Sequence, residues 1–277
     1  MSFILEGIDK KLDDLLGVAV GAGDIIMNYF HSGFKVSYKS DKSPVTEADI
    51  AADKFISEKL QKITPDIFNV SEEGYELNPS AYKNPPDVFW CVDPLDGTKN
   101  FINKENTFTV NIGLIVNKKA VFGILYVPFE DRLYFSTGEG SYKIHKNKKT
   151  LMKPASLMNE INIVTSARTP DEKLSDLMLN VKTGEMRCEY KKIATSEKFC
   201  LVADSKFNIF PCFARSKEWD TAAGQAIVDA SGGKVFISGG HELRYGKNDF
   251  ENPHFIAVSN PKKIQQKLLS SILQTLD

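Results

Sequence analysis

Four cysteines in 277 residues, none in a Cys-x-x-Cys pair, are too scattered for a disulfide framework or a zinc site. Cys91 and Cys200 lie in apolar runs, so buried thiols in a reducing compartment are expected, and Cys188 and Cys212 add no pattern. The four histidines, His31, His145, His241 and His254, are not at metal-ligand spacing, and none stands beside a Ser or Cys nucleophile motif. A catalytic triad therefore has no support. A formal net charge of −1 gives nucleic acid and anionic membranes no electrostatic footprint. No apolar run approaches the ~18 residues of a membrane-spanning helix. The N-terminus lacks a basic region followed by an apolar core, so no signal peptide is expected. Gly138-x-Gly140 and Gly232-Gly233 are too short for dinucleotide or Walker loops. These absences predict a cytoplasmic protein, monomer or homodimer, whose partner is a small molecule.

What is present is ordinary in bulk, with 42% hydrophobic and 26% charged residues. The length allows one large domain or two smaller ones. Apolar spacing at Leu12, Leu15, Leu16, Ala19 and Ile26 predicts one long helix over Phe3 to Phe30, with Gly33 just past its end. A polar turn, Lys39 to Thr46, leads to a second helix over 47–56. Thr46 can cap it, and Glu47 and Asp49 fall where the helix dipole favours acids. Strands are expected at 67–71, 107–116, 120–127 and 132–136, with Asn117-Lys118 as a hairpin turn.

Lys146-Asn-Lys-Lys149 and Pro154 form a polar break. It divides an α+β N-terminal part, 1–153, from an α/β C-terminal part, 154–277. Beyond it the pattern alternates: strand 162–165, helix 171–180, strand 187–191, helix 195–202, strand 207–210 and a small-residue helix over 219–231. Such alternation predicts an α/β layered sandwich.

The segment from Val88 to Lys99 stands out. Val88 to Val92 read as a strand buried on both faces, and Asp93-Pro-Leu-Asp-Gly-Thr98 follows at its mouth. Pro94 fixes φ, so Asp93, Asp96 and the Leu95 carbonyl can face one centre. Clustered oxygen ligands suit a hard cation such as Mg²⁺ better than zinc. On these six residues alone an ordinary Pro-x-Asp-Gly turn fits as well. Glu72 after the preceding strand and Asp220 at a helix start bring the carboxylates to four, enough to neutralise two Mg²⁺ ions. Two-metal centres serve phosphate ester hydrolysis. Gly97 and Thr98 then gain a role as a phosphate seat, and Thr98 with Asp49 could orient an attacking water and take its proton.

Asp93-Pro-Leu-Asp-Gly-Thr98 and Trp219-Asp-Thr-Ala-Ala-Gly224, with Ser71-Glu-Glu73 upstream, resemble the paired signatures of the inositol monophosphatase-like superfamily of Mg²⁺-dependent, lithium-sensitive phosphatases. The resemblance covers nearly the whole chain. It implies a layered αβαβα sandwich of the sugar phosphatase type. It also implies two or three Mg²⁺ ions held by Glu72, Asp93, the Leu95 carbonyl, Asp96 and Asp220, and a water activated by Asp49 and Thr98, with Glu72 taking part in catalysis.

The stretches from Lys39 to Asp49, Phe108 to Ile112, Glu197 to Cys200 and Glu218 to Gly224, with Lys99, are similar to the 3'(2'),5'-bisphosphate nucleotidases of sulfate assimilation. These remove the 3'-phosphate of adenosine 3',5'-bisphosphate. An inositol or sugar bisphosphate phosphatase is the alternative, and a silent nucleotide or metal sensor a distant one. Phe213 stands where inositol-specific members carry an acid, which disfavours inositol and would put a ring near the base. Ala194-Thr-Ser-Glu-Lys198 replaces a Gly-Ser-Ser-Leu-Lys pattern, so Glu197 is expected to bring negative charge near the ligand. The second phosphate needs cations: Lys198, Arg168 and Lys217, with Ser196 alongside, are the foremost candidates, and Lys39, Lys42 and Arg215 follow.

Overall fold

The computed structural model describes residues 2–154, 160–181, 187–264 and 266–276. The expected first helix is two: α1 (Ser2–Asp9) and α2 (Leu12–Ser32). Lys11 leaves helical geometry at φ −108°, ψ 12°. Ile8 and Leu15 on either side are both buried, so the apolar spacing runs through the break and hides it from the sequence. Gly33 ends α2 at φ 100°. β1 (Val36–Tyr38) and β2 (Pro44–Thr46) pair antiparallel, and α3 (Glu47–Ile63) starts directly from Thr46.

β3 (Phe68–Ser71), α4 (Glu72–Leu77), β4 (Val88–Asp96) and α5 (Thr98–Ile102) follow. Then come β5 (Thr109–Val116), β6 (Lys119–Val127), β7 (Arg132–Thr137), β8 (Gly140–His145) and β9 (Lys148–Met152). β3 to β9 form one seven-stranded sheet in sequence order, with β3 and β4 parallel and the rest antiparallel. Asn117 and Lys118, at φ 50° and 63°, make the expected hairpin turn. Lys146 and Asn147 repeat it at φ 51° and 60°. They are therefore the turn between β8 and β9 rather than a polar break, and the polarity belongs to a solvated hairpin tip.

The remaining elements begin with β10 (Glu160–Thr165), α6 (Asp171–Val181), β11 (Arg187–Lys192), α7 (Glu197–Ala203), β12 (Ile209–Cys212) and β13 (Ser216–Lys217). They end with α8 (Ala222–Ala230), β14 (Lys234–Phe236), β15 (Glu251–Asn252), β16 (Phe255–Val258) and α9 (Gln266–Gln274). The second sheet has the order β11-β10-β12-β16-β14.

Three apolar clusters define the layers. Leu15, Ala19, Ile26, Ala52 and Ile56 of α2 and α3 pack on Trp90, Val92, Val110 and Ile124 of the first sheet. On its other face Phe89, Cys91 and Leu125 meet α8 and α7, which are covered in turn by Phe210, Phe255 and Ala257 of the second sheet. Ile163, Ile209 and Ile256 then meet Leu174 and Leu177 of α6 and Ile272 of α9. The order is α, β, α, β, α. No helix among the described residues is long and apolar enough to cross a membrane. Cys91, Cys200 and Cys212 are free and buried, while the Cys188 side chain lies outside the described residues.

The small residues of α8 have a steric cause. A Cβ on Gly113 would stand 2.6 Å from Ala222 Cβ, and one on Gly123 2.3 Å from the Ala223 carbonyl. The first turn of α8 thus lies directly on sheet backbone, which fixes the segment just before it, where Asp220 sits.

Candidate active site

Alternation along β4 sends Trp90 and Val92 toward α2 and α3 and Phe89 and Cys91 toward α8. The same alternation carries Asp93 to the α8 side, where it feels the charge of Asp220. The ladder to β5 is irregular between Asp93 and Asp96, and Gly97 follows at φ 101°. A Cβ there would stand 2.9 Å from the Thr107 carbonyl. Glycine lets the chain reverse at that point and start α5 at Thr98.

Asp49 is buried as the third residue of α3. Its Oδ2 accepts the Thr46 N–H at 2.8 Å and the Thr46 hydroxyl at 2.5 Å, completing the cap. Its Oδ1 lies 2.9 Å from the Thr98 hydroxyl, which is also 3.2 Å from the Leu95 carbonyl. Burial raises the Asp49 pKa, while the bonds from Thr46 and Thr98 work against the rise. The expected Asp49 and Thr98 pair is assembled. Asp96 accepts the Ser196 N–H at 2.6 Å and faces the Thr109 hydroxyl at 3.4 Å. Asp220 Oδ2 accepts the Lys217 N–H at 2.8 Å, and the Ser196 hydroxyl donates to the Asp220 carbonyl at 2.8 Å.

The electrostatics are those of crowded acids. Burial, then the charges of Glu72, Asp96 and Asp220, push Asp93 far above the carboxylate range. Burial, then Asp96 and Glu72, raise Asp220 to about 8. Burial also raises Glu72, whose neighbours Asp49 and Asp96 add to the rise and whose partner Lys39 opposes it. Lys39 Nζ lies 2.6 Å from Glu72 Oε1 and 2.8 Å from Glu73 Oε1. Burial works against its ammonium, but the two glutamates overcome this and raise its pKa. Among the described residues no three acids stand in a ready-made metal cage with the side chains as they lie. Their chemistry nevertheless fits a hard divalent cation. The donors are all oxygen, and Lys39, with Lys198 and Arg168 acting from the Asp96 and Asp220 side, leaves the pKa values of Asp93, Glu72 and Asp220 raised.

The other predicted contacts are placed as follows. Lys198 is buried in the first turn of α7; its ammonium meets the Thr195 carbonyl and lies 5.0 Å from the Phe210 ring centre. Arg168 is exposed, and its charge is felt at Asp220. Lys217 Nζ donates to the Asp249 carbonyl at 2.8 Å and lies 3.3 Å from Glu251. Two expectations are corrected. Glu197 Oε1 pairs with Arg132 at 2.7 Å, so its charge is cancelled at the sheet. Phe213 is buried among α6 and α9 side chains beside Ile209, because the alternation of β12 turns odd positions outward. As the side chains lie, its ring offers no open face to a base.

Sequence reasoning missed Asp53, a half-buried acid one helical turn after Asp49 whose Oδ1 is buried with no hydrogen-bond partner. The spacing of four was the available signal. It missed Asn111 as well, directly opposite Asp93 in the ladder and buried with its Nδ2 unpaired. Glu218, whose charge is taken up by Lys247, was missed too.

Buried and half-buried oxygen donors around a helix start, on an αβαβα sandwich, fit a metal-dependent phosphatase type of centre. The chain belongs to the inositol monophosphatase family, whose model matches residues 10–276. Enzymes of this family are generally Mg²⁺-dependent. The chain is 39% identical to the 3'(2'),5'-bisphosphate nucleotidase CysQ of Buchnera aphidicola, over 85% of this chain and 88% of that protein. It is 36% identical to the CysQ nucleotidase of Salmonella typhimurium, over 88% and 98%. The crystal structure of CysQ from Bacteroides thetaiotaomicron superposes with a TM-score of 0.75 at 33% identity, covering 92% of this chain and 98% of that one.

Proposed function

We propose that the chain hydrolyses the 3'-phosphate of adenosine 3',5'-bisphosphate to AMP and phosphate in a Mg²⁺-dependent reaction. The observation that carries this reading is the likeness, over most of the chain, to proteins named as 3'(2'),5'-bisphosphate nucleotidases. The carboxylate cluster supports the reaction type.

In this reading Glu72, Asp93, the Leu95 carbonyl, Asp96 and Asp220 hold two or three Mg²⁺ ions. When bound, Mg²⁺ supplies positive charge to the phosphate and lowers the pKa of water. Asp49 fixes the Thr98 hydroxyl, and the pair orients the attacking water and receives its proton. The raised pKa of Asp49 makes it a better acceptor at neutral pH than an exposed carboxylate. Attack in line with the 3'-oxygen breaks the P–O bond without a phosphoenzyme, and the leaving oxygen takes up a proton. Gly97 and Thr98 seat the reacting phosphate. Lys198, Arg168, Lys217 and Ser196 are the proposed contacts for the rest of the nucleotide.

The N-terminal part, 1–153, contributes the water-orienting pair and most metal donors, and the part from 154 contributes Asp220 and the nucleotide contacts. One chain carries the full donor set, so a monomer or a homodimer in the cytoplasm both serve. The test is phosphate release from adenosine 3',5'-bisphosphate with Mg²⁺. Wild-type protein should turn over, and a folded Asp93→Asn variant should not; wild-type-like turnover in the variant would sink the reading.

A further inference from the structure

Asp220 is carried on a single 3-10 turn, Glu218–Asp220, and Glu218, at the start of that turn, is fully buried. Glu218 Oε2 accepts the Gly246 N–H at 2.7 Å, and Oε1 accepts the Lys247 N–H at 3.0 Å. The Lys247 ammonium stands 2.6 Å from the same Oε1. Buried backbone N–H groups need acceptors. Residues 244–250 lie outside any strand or α-helix, and the Glu218 carboxylate supplies acceptors for two of them.

The clamped segment returns to both sides of Asp220. The Glu218 N–H donates to the Phe250 carbonyl at 2.8 Å. Asn252 Nδ2 donates to the Lys217 carbonyl at 2.7 Å and to the Thr221 hydroxyl at 3.1 Å. β13 pairs with β15 through Ser216 with Asn252 and Lys217 with Glu251. Lys217 is the residue whose N–H holds the Asp220 carboxylate.

A second feature points the same way. Phe250, fully buried, sits in the left-handed region at φ 54°, which a bulky side chain adopts only when its surroundings compel it. Its ring packs 5.7 Å from Trp219 and 5.4 Å from Tyr75, and Tyr75 lies 5.4 Å from Trp219. Tyr75 is on α4, three residues after Glu72. The clamp and the ring cluster therefore tie the turn bearing Asp220 to the helix bearing Glu72.

We propose that Glu218 is a positioning residue: paired with Lys247, it locks residues 246–252 onto the Asp220 turn and so sets Asp220 for Mg²⁺. The inference rests on the reading that Asp220 is a Mg²⁺ ligand. Because Lys247 takes up the Glu218 charge, the residue adds no competing free anion beside the cluster. Outer partners of metal ligands commonly control affinity by about 10- to 100-fold.

The test is calorimetric titration of metal-free full-length protein with Mg²⁺, together with its melting temperature and steady-state rates. Glu218→Gln, which removes the charge and turns an N–H₂ toward a backbone donor, should weaken Mg²⁺ binding by about 10-fold or more. Substrate KM at saturating Mg²⁺ should stay within about two-fold of wild type, a split expected when only metal positioning has changed. Asn252→Ala, which removes only the bonds to Lys217 and Thr221, should weaken Mg²⁺ binding in the same direction, and it serves if Glu218→Gln fails to fold. Ile272→Val, a core change in distant α9, should lower the melting temperature and leave Mg²⁺ affinity unchanged. Wild-type Mg²⁺ affinity in a folded Glu218→Gln or Asn252→Ala protein overturns the proposal, as does an equal loss in Ile272→Val. Failure of the wild type to bind Mg²⁺ would instead overturn the assignment of Asp220 as a ligand.

Discussion

Replacing Asp220 by asparagine should make the metal-free protein more stable while removing its activity. The folded protein raises the Asp220 pKa from 3.8 to about 8, through burial first and the charges of Asp96 and Glu72 next. An acid whose pKa is raised on folding is protonated more readily in the native state. Its stability cost is therefore absent well below pH 3.8, grows as pH rises, and levels off above about 8. At neutral pH the gap of roughly three units corresponds to an upper bound of about 4 kcal/mol. Sharing of the proton with Asp93 and Glu72, and solvent at the partly exposed edge of the side chain, reduce the observable gain to about 1–2 kcal/mol. Asparagine keeps an oxygen for the Lys217 N–H, so the hydrogen bond is not lost with the charge.

The assay is urea unfolding of wild type and Asp220→Asn in EDTA across acid to neutral pH, repeated with Mg²⁺. The variant should gain over wild type as pH rises in EDTA. With Mg²⁺ the order should reverse, because a ligand at about 100 times its Kd adds about 2.7 kcal/mol to the form that binds it. A variant less stable than wild type in EDTA near neutral pH would refute the reasoning, for it would make Asp220 a structural hydrogen-bonding group rather than a site held at a cost.

Thr98→Ala should fold normally and lose about 100-fold or more in kcat, with Thr98→Ser retaining most of it, in steady-state assays, because only the hydroxyl between Asp49 and the Leu95 carbonyl is removed. Gly97→Ala should lower stability by about 1–3 kcal/mol in urea unfolding, since φ 101° and the 2.9 Å approach to the Thr107 carbonyl leave no room for a methyl group. Asp229, at the C-terminal end of α8 where a negative charge is unfavourable, is raised from 3.8 to about 6 by burial against the pull of Lys234. Asp229→Asn should therefore stabilise by about 1 kcal/mol above that range and gain little below it, read from melting curves at several pH values.

The acids were legible in the sequence because each sits at a local signal. Asp93 and Asp96 flank a proline at the end of an apolar strand, Asp49 completes a capping box with Thr46, and Asp220 opens a run of small residues that must lie on sheet glycines. The fold was legible where periodicity and turns agreed, as in the Asn117-Lys118 hairpin. It failed where one signal has two physical meanings. The Lys146-Asn147 hairpin tip is as polar as a linker, and the Lys10-Lys11 break leaves the apolar face of the helix intact. Contacts made by distant segments had no local trace. The hold of Lys39 on Glu72 and Glu73, the burial of Phe213 under α6 and α9, the pairing of Glu197 with Arg132 and the bond of Glu218 to residues 246 and 247 all come from tertiary packing.

The central claim is that this carboxylate cluster cleaves a nucleotide 3'-phosphate with Mg²⁺. Its most direct test is phosphate release from adenosine 3',5'-bisphosphate and from inositol 1-phosphate, each with and without Mg²⁺. The account predicts rapid Mg²⁺-dependent release from the nucleotide and slow release from the inositol ester. Inositol 1-phosphate as the better substrate, or release from the nucleotide that persists without Mg²⁺, would contradict it.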